Sequence, residues 1–207
     1  WRVDVKFRRK SSAAATTAEP EVVSPAGPGP WDSSQVRNDG VERVDLGSLL
    51  LPALDGREVR LQVEEQTGVV RSVLLAGADG AMEIQVFAAP RNGDLWGTVR
   101  PQIAEDLTRR GAQHSEREGR WGVELVCQLP VQRPDGSPAV QLSRIVGING
   151  PRWLLRATFM GVPATDPDNA GEWEDTLAQV VVHRGEGAMP VGELLPVVLP
   201  TDARRVP

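Results

Sequence analysis

Alternation of apolar and polar residues, interrupted by turn signals, is the feature of this 207-residue chain that most restricts its fold. In residues 58–64, Val, Leu and Val alternate with Glu, Arg and Gln, which is typical of a half-buried strand. Apolar segments at 69–75 and 82–88 follow, with turn sequences at 66–68 and 77–80 between them. Short turns join antiparallel strands, because parallel strands need long crossover connections. This part of the chain therefore predicts an antiparallel meander.

The second half of the chain repeats this pattern. From Trp121 onward, apolar side chains recur at every second position and predict a strand that carries Cys127 on its apolar face. Residues 140–146 and 152–160 predict a hairpin around Asn149-Gly150, because both residues of this dipeptide tolerate positive φ in a type I′ turn.

Two segments have the period of a helix instead. One apolar stripe runs from Trp96 to Leu107, with Asp94 as the expected N-cap and Gly111 as the expected stop. Pro101 lacks a backbone donor, so it should kink this helix or delay its start.

A second helix is predicted to begin at Asp166 as its N-cap, to carry Trp173 and Leu177 on its apolar stripe, and to end by Gly185. The order of elements then favours an α+β fold. We expect a mainly antiparallel sheet of about six to seven strands with two helices packed on one face.

The composition of the sequence divides the chain into three regions. Residues 1–30 are predicted to be a disordered tail, basic and then rich in Pro and Ala, because such a sequence cannot bury enough apolar surface to offset the entropy of ordering. Residues 31–185 are expected to form a single α+β domain, and residues 186–207 an extended C-terminal tail that packs partly on it. Trp at position 1 leads us to expect that translation truly starts at Val5.

Reactive side chains are scarce: the chain has two histidines, one cysteine and no tyrosine. Cys127 lies in register with leucines, so it is expected to fill the core. His114 is expected in a solvated loop and His183 at a helix end, and neither has a second His or Cys at metal-ligand spacing. No glycine-rich phosphate loop is present. The sequence therefore predicts no catalytic, cofactor-binding or metal-binding residue.

The formal net charge of −5 argues against a domain whose whole surface binds nucleic acid. Contact with nucleic acid or an anionic membrane is expected only through the basic segment Lys6–Lys10. No apolar run is long enough for an integral membrane helix, and no secretory signal follows the basic residues, so we expect a cytoplasmic protein.

One tryptophan and a group of arginines are candidates for binding a partner. Trp31 stands where the predicted tail meets the domain, and it is expected either to fix the tail onto the domain or to anchor a partner. Arg152 and Arg156 are placed on the strand face opposite Trp153, where Arg91 and Arg144 could join them to bind an anion or an acidic partner. Solvated arginines without a partner are the alternative.

Four motifs occur in one order: Gly-Pro-Trp-Asp at 29–32, Arg-Val-Asp-Leu-Gly-Ser-Leu at 43–49, Phe-Ala-Ala-Pro-Arg at 87–91, and Asn-Gly-Pro-Arg-Trp-Leu-Leu-Arg at 149–156. With them, the chain resembles an actinobacterial family of uncharacterised cytoplasmic proteins, known only as a domain of unknown function. The resemblance implies no activity, cofactor or catalytic residue. The order of elements is also similar to small α+β domains of secretion chaperones, which bind segments of partner proteins.

These observations lead to two functional hypotheses. The first is a non-enzymatic cytoplasmic module, adaptor-like or chaperone-like, that binds another protein or a second copy of itself as a homodimer. The second is an enzyme or nucleotide-binding protein whose site is built from scattered Asp, Glu and Arg side chains.

Overall fold

A computed structural model describes residues 2–5, 29–36, 39–166, 168, 170–199 and 204–206. The basic segment 6–10 and most of the predicted N-terminal tail lie outside the described residues. Residues 2–5 and 204–206 form strands that pair with each other, so these two stretches of the predicted tails belong to the sheet.

Nine antiparallel strands form the larger sheet. From one edge to the other they are β13 (Arg204–Val206), β1 (Arg2–Val5), β5 (Glu58–Val63), β6 (Val70–Ala76), β7 (Gly80–Ala88), β11 (Trp153–Gly161), β10 (Pro138–Gly150), β9 (Gly122–Gln132) and β8 (Gln113–Gly119). The predicted α+β class with a mainly antiparallel sheet is therefore confirmed. The sheet is wider than predicted, because β1 and β13 lie in the predicted tails and because β8 is polar on both faces and carries no alternation that would mark it as a strand.

A smaller sheet packs against the larger one. Its order is β2 (Trp31–Asp32), β12 (Val181–Val182), β4 (Leu49–Pro52) and β3 (Arg43–Asp45). The inner side chains of β4 and β12, among them Leu49, Leu51 and Val182, join the main hydrophobic core. β2 pairs with β12 in parallel, whereas the other neighbours are antiparallel.

The helices α1 (Leu95–Arg109), α2 (Val162–Thr165) and α3 (Gly171–Ala178) do not share one face of the large sheet, which corrects the predicted arrangement. On β11, Trp153 and Leu155 enter the core that contains α3, whereas Leu154 enters a second core beneath α1. Both faces of this part of the sheet are apolar, so each must be covered by its own helix.

The helix α1 follows its sequence signals closely. Asp94 is the N-cap, and its Oδ1 accepts a hydrogen bond of 2.7 Å from the backbone N–H of Gly97. Gly111 ends the helix region with φ of 77°. Pro101 lies inside the helix, which starts six residues before it, so the proline does not delay the helix start.

The second helical region differs from the prediction. Asp166 is the C-cap of the short helix α2 instead of an N-cap, and α3 begins only at Gly171. After α3 the chain forms the strand β12, so the valines at 180–182 do not continue the helix. Their β-branched side chains favour the extended conformation.

A group of charged side chains lies inside the protein where α3 meets the sheet. Arg144 is fully buried and its Nη1 lies 2.7 Å from Glu174 Oε1 and 3.4 Å from Glu124 Oε1. Its guanidinium carbon is 4.6 Å from the centre of the Phe159 ring. The exposed end of the group is Arg117, whose Nε lies 2.6 Å from Glu124. Arg144 therefore cannot join Arg156, because it faces the α3 side of the sheet.

We expect the variant Arg144→Met to lose about 3–5 kcal/mol of unfolding free energy, because Glu124 and Glu174 would lose the buried cation that lies between them, and only Arg117 would still contact Glu124. The double variant Arg144→Met with Glu124→Met should be more stable than Arg144→Met alone, because no buried charge is left at that position. Urea unfolding of both variants measures this. A loss below about 1 kcal/mol for Arg144→Met would contradict the assignment.

The pair Asp39–Arg43 should make stability depend on pH in the acid range. Arg43 donates two hydrogen bonds of 2.8 and 2.6 Å to Asp39, and this interaction holds the pKa of Asp39 below its ordinary value. Because the pKa of Asp39 is lower in the folded than in the unfolded protein, its ionised carboxylate stabilises the fold at pH values above the unfolded pKa of about 3.9. This stabilisation is lost as the pH falls through the folded-state pKa.

Asp39→Asn should therefore be less stable than the natural protein at pH 7, and the difference should shrink below about pH 4. Urea midpoints at several pH values test this. If the difference in stability between Asp39→Asn and the natural protein stays constant down to the pH at which the protein unfolds, the charge of Asp39 does not contribute to stability.

Candidate functional site

One buried hydrogen bond brings the two sheets together at the site. The indole Nε1 of Trp153 donates to Asp32 Oδ2 at 2.9 Å, and both residues are buried. Gly150 allows this packing, because a Cβ there would lie 2.1 Å from the Trp153 ring. The other carboxylate oxygen of Asp32 accepts hydrogen bonds from the backbone and hydroxyl of Ser34. Trp153 and Asp32 therefore fix the end of the β10–β11 hairpin against β2.

The turn of this hairpin is at Pro151-Arg152, two residues beyond the predicted Asn149-Gly150. Arg152 has φ of 65° and is the single non-glycine residue with positive φ among the described residues. Proline followed by a residue with positive φ is typical of a type II turn, where glycine or asparagine normally occupies the second position. The left-handed conformation costs an arginine about 1 kcal/mol or more.

Two hydrogen bonds hold Arg152 in this conformation. Its carbonyl oxygen accepts from the backbone N–H of Ala89 at 2.9 Å and from the Nε of Arg184 at 3.2 Å. The surrounding structure therefore offsets the backbone strain of Arg152. Strained residues that are held in place by their surroundings are concentrated at functional sites.

Asn149 acts on α1 instead of forming the turn. Its Oδ1 accepts from the backbone N–H of Trp96, and its Nδ2 donates to Asp94 at 2.8 Å. Hydrogen bonds from the backbone of Gly97 and from Asn149 lower the pKa of Asp94, so this N-cap carboxylate stays ionised. The hairpin thereby orients the loop that carries Arg91, which lies between β7 and α1.

Arg91, Arg152 and Arg184 lie on three loops that adjoin through these hydrogen bonds, and we call them the arginine surface. Arg91 is exposed, whereas Arg152 and Arg184 are half-buried. Arg184 also donates to the carbonyl of Gly187 at 3.1 Å. Both of these acceptors of Arg184 are backbone carbonyl oxygens, which carry no negative charge. Within the described part of the chain, none of the three guanidinium groups forms a salt bridge. The arrangement can bind carboxylate or phosphate groups.

Next to Arg184, a serine–histidine pair lies on the small sheet. The hydroxyl of Ser33 is 2.9 Å from Nδ1 of His183, and the backbone N–H of His183 donates to the carbonyl of Ser48. His183 follows a strand and not the predicted helix end. The sequence offers no signal for this pair, because the two residues are 150 positions apart. No described carboxylate hydrogen-bonds to His183, so the pair lacks the third member of a catalytic triad.

The other two candidate residues lie apart from the arginine surface. Trp31 belongs to β2 of the small sheet and is half-buried, with its ring against Gly29. Arg156 contacts the Phe87 ring and donates to Gln85, and burial lowers the pKa of its guanidinium. The structure therefore joins the loop that precedes Arg91 to the turn at Arg152 and adds Arg184, which the sequence analysis missed.

The remaining reactive residues do not form a site. Cys127 is buried as predicted, and burial raises the pKa of its thiol, which disfavours the reactive thiolate. His114 lies in the strand β8, which corrects the predicted loop. Among the described residues no group of three or more His, Cys, Asp and Glu side chains could hold a metal ion. In the described part of the chain, no helix has the length and apolar character needed to cross a membrane.

The four sequence motifs meet around this region. Asp32 of the first motif bonds Trp153 of the fourth, and Ala89 of the third bonds Arg152 of the fourth. Ser48 of the second motif bonds His183, beside Arg184. The motifs are therefore the parts of one junction, although they are spread over most of the chain.

Comparison with known proteins places this α+β chain in a family. The profile of the family described as protein of unknown function (DUF3710) matches residues 29–206, and the chain belongs to this family. No curated protein sequence matches the chain significantly.

Two solved structures are similar at low identity. A crystal structure from Bacteroides thetaiotaomicron VPI-5482 has 13% identity and a TM-score of 0.42, and the match covers 72% of this chain and 50% of that chain. The solution structure of cyanobacterial PsbP (CyanoP) from Synechocystis sp. PCC 6803 has 13% identity and a TM-score of 0.37, with 69% and 92% covered. This chain thus spans half the length of the Bacteroides chain.

Replacing Arg152 by glycine should raise stability, because glycine adopts the left-handed conformation without the steric cost. We expect the variant Arg152→Gly to gain up to about 1 kcal/mol of unfolding free energy, offset in part by the greater freedom of glycine in the unfolded chain. Arg152→Ala is the matched control, since it also removes the side chain but keeps the strain. Equal stability of the two variants would show that residue 152 is not strained.

Proposed function

We propose that this protein is a non-enzymatic binding module of the cytoplasm that captures an acidic segment of a partner protein on the arginine surface. The observation that carries the proposal is the strained Arg152, held between Ala89 and Arg184 with no carboxylate partner in the described chain. A protein retains such strain when the side chain has a role, because glycine would form the same turn more easily.

The geometry favours a segment with several carboxylates. Arg91, Arg152 and Arg184 come from three separate loops, so their guanidinium groups can engage successive acidic side chains of one extended segment. Main-chain hydrogen bonds fix two of these loops to each other before any partner binds. Such preorganisation lowers the entropy that binding must overcome.

The charge of the whole protein supports the same choice. The chain has a formal net charge of −5, so an acidic partner is repelled by most of the surface and attracted at the arginine surface. This contrast orients the partner, and the attraction should weaken as salt is added. A single cysteine, buried and unpaired, is compatible with the reducing conditions of the cytoplasm.

The double variant Arg91→Glu with Arg152→Glu tests the proposal. With a fluorescent peptide of about eight glutamates as the probe, we expect the double variant to bind at least about tenfold more weakly in anisotropy titrations, which corresponds to about 1.4 kcal/mol.

The matched control is Arg109→Glu with Arg110→Glu, at the exposed end of α1. This control changes the net charge equally, so it should bind almost as the natural protein does. Equal weakening by both double variants would mean that binding depends only on net charge, and unchanged binding in the first would exclude the arginine surface.

The Ser33–His183 pair favours a second candidate function, an enzyme or nucleotide-binding protein. Arg184 follows His183 directly and could bind a phosphate group beside it. Thermal-shift measurements with ATP and GTP distinguish the two functions. Stabilisation that is lost in His183→Gln would favour nucleotide binding, and the absence of stabilisation would leave the acidic protein segment.

A further inference from the structure

We infer that the protein associates with a second copy of itself through the strand β8, in one antiparallel register centred on Ser115. This inference does not depend on the proposed function, because β8 is the edge of the large sheet and the arginine surface lies on the loops after β7, β10 and β12. The pairing would join the two large sheets edge to edge.

The edge of β8 is open to another strand. β8 spans Gln113–Gly119 and pairs only with β9 among the described elements. No main-chain group elsewhere in the described chain bonds to the residues 113–119 on their outer side. A strand of this length with an unpaired edge is a template for a second strand.

Two identical strands that pair about a two-fold axis perpendicular to the sheet keep the faces of both copies on the same sides. Opposite residues must then share a face, so only registers centred on a residue are allowed. Centring on Glu116 or Glu118 places that glutamate opposite itself, and centring on Arg117 places arginine opposite arginine. Directly opposed like charges are destabilising.

The register centred on Ser115 has no such conflict. It places His114 of each copy opposite Glu116 of the other, and Gln113 opposite Arg117, over five residues. His114 and Glu116 lie on the α1 face, as their contacts with Thr108 and Arg100 show. A register centred on His114 also avoids like carboxylates, but it pairs only 113–115 within the strand.

His114 and Glu116 each keep one free bonding position for this contact. The Thr108 hydroxyl donates to the carbonyl of Ala104, so His114 donates from Nε2 to Thr108 at 3.0 Å, and the doubly protonated ring keeps its Nδ1–H for Glu116. Glu116 uses Oε1 toward Arg100, at 2.9 Å, which leaves its second oxygen. The two symmetric His114–Glu116 contacts are therefore added to the existing interactions without breaking them.

A charge swap tests both the association and its register. Sedimentation equilibrium of the full chain should show a monomer–dimer equilibrium. His114→Glu and Glu116→Lys should each weaken the dimer at least tenfold, since they place Glu opposite Glu or Lys opposite His. The double variant His114→Glu with Glu116→Lys should restore association, because the new carboxylate at position 114 then faces the new ammonium group at position 116 of the other copy.

Glu118→Lys is the matched control, since residue 118 falls outside the five paired residues and should leave the dimer unchanged. A monomer at all concentrations, equal association of the natural protein and Glu116→Lys, or failure of the double variant to recover would each overturn the inference. Circular dichroism of every variant confirms that the fold is kept.

Crosslinking gives an independent readout. Ser115→Cys places two thiols opposite each other across the axis, within the range that a disulfide spans. Oxidation by oxygen with copper–phenanthroline removes two protons and two electrons and should form a covalent dimer. Gln113→Cys is the control, because its two copies would lie roughly 14 Å apart in this register. Crosslinking of Gln113→Cys in preference to Ser115→Cys would contradict the register.

Discussion

The hydrogen bond between the Trp153 indole and the Asp32 carboxylate is the interaction on which the rest of this structure depends. It joins the end of the β10–β11 hairpin to the first strand of the small sheet, and both residues are buried. A buried carboxylate without partners would be costly, and here the indole and Ser34 satisfy both of its oxygens. Trp153 directly follows Arg152, which has its left-handed conformation in the turn and is held there by Ala89 and Arg184.

The buried guanidinium of Arg144 has a comparable role on the other side of this core. It links the sheet to α3 through Glu124 and Glu174 and lies over the ring of Phe159. A buried ion pair is a weak source of stability compared with apolar packing, but it penalises every arrangement that separates its members. The position of α3 is thus specified by charge as well as by the packing of Trp173. The arginine surface uses the same type of side chain differently, because its guanidinium groups remain near water and lack carboxylates.

Most of the large sheet could be predicted from the sequence, and the errors of this prediction have physical causes. The strands β5, β7, β9 and β11 carry alternation because one face is buried and the other is less so. The strand β8 could not be recognised, since an edge strand with charges on both faces has the composition of a loop. The two-residue hairpin turn was misplaced because Asn149 and Gly150 have the right conformational preferences but are needed for other contacts.

The sequence by itself determined the local elements of this protein: the alternating strands, the cap and stop of α1, and the α+β class. Each of these is encoded by residues within a few positions of one another, where propensity and periodicity act directly. Only the tertiary structure decided which arginines meet, that Arg144 is buried while Arg152 is not, and that Ser33 reaches His183. These outcomes depend on strand register and on the face that each element covers, and a shift of one residue in register would reverse them.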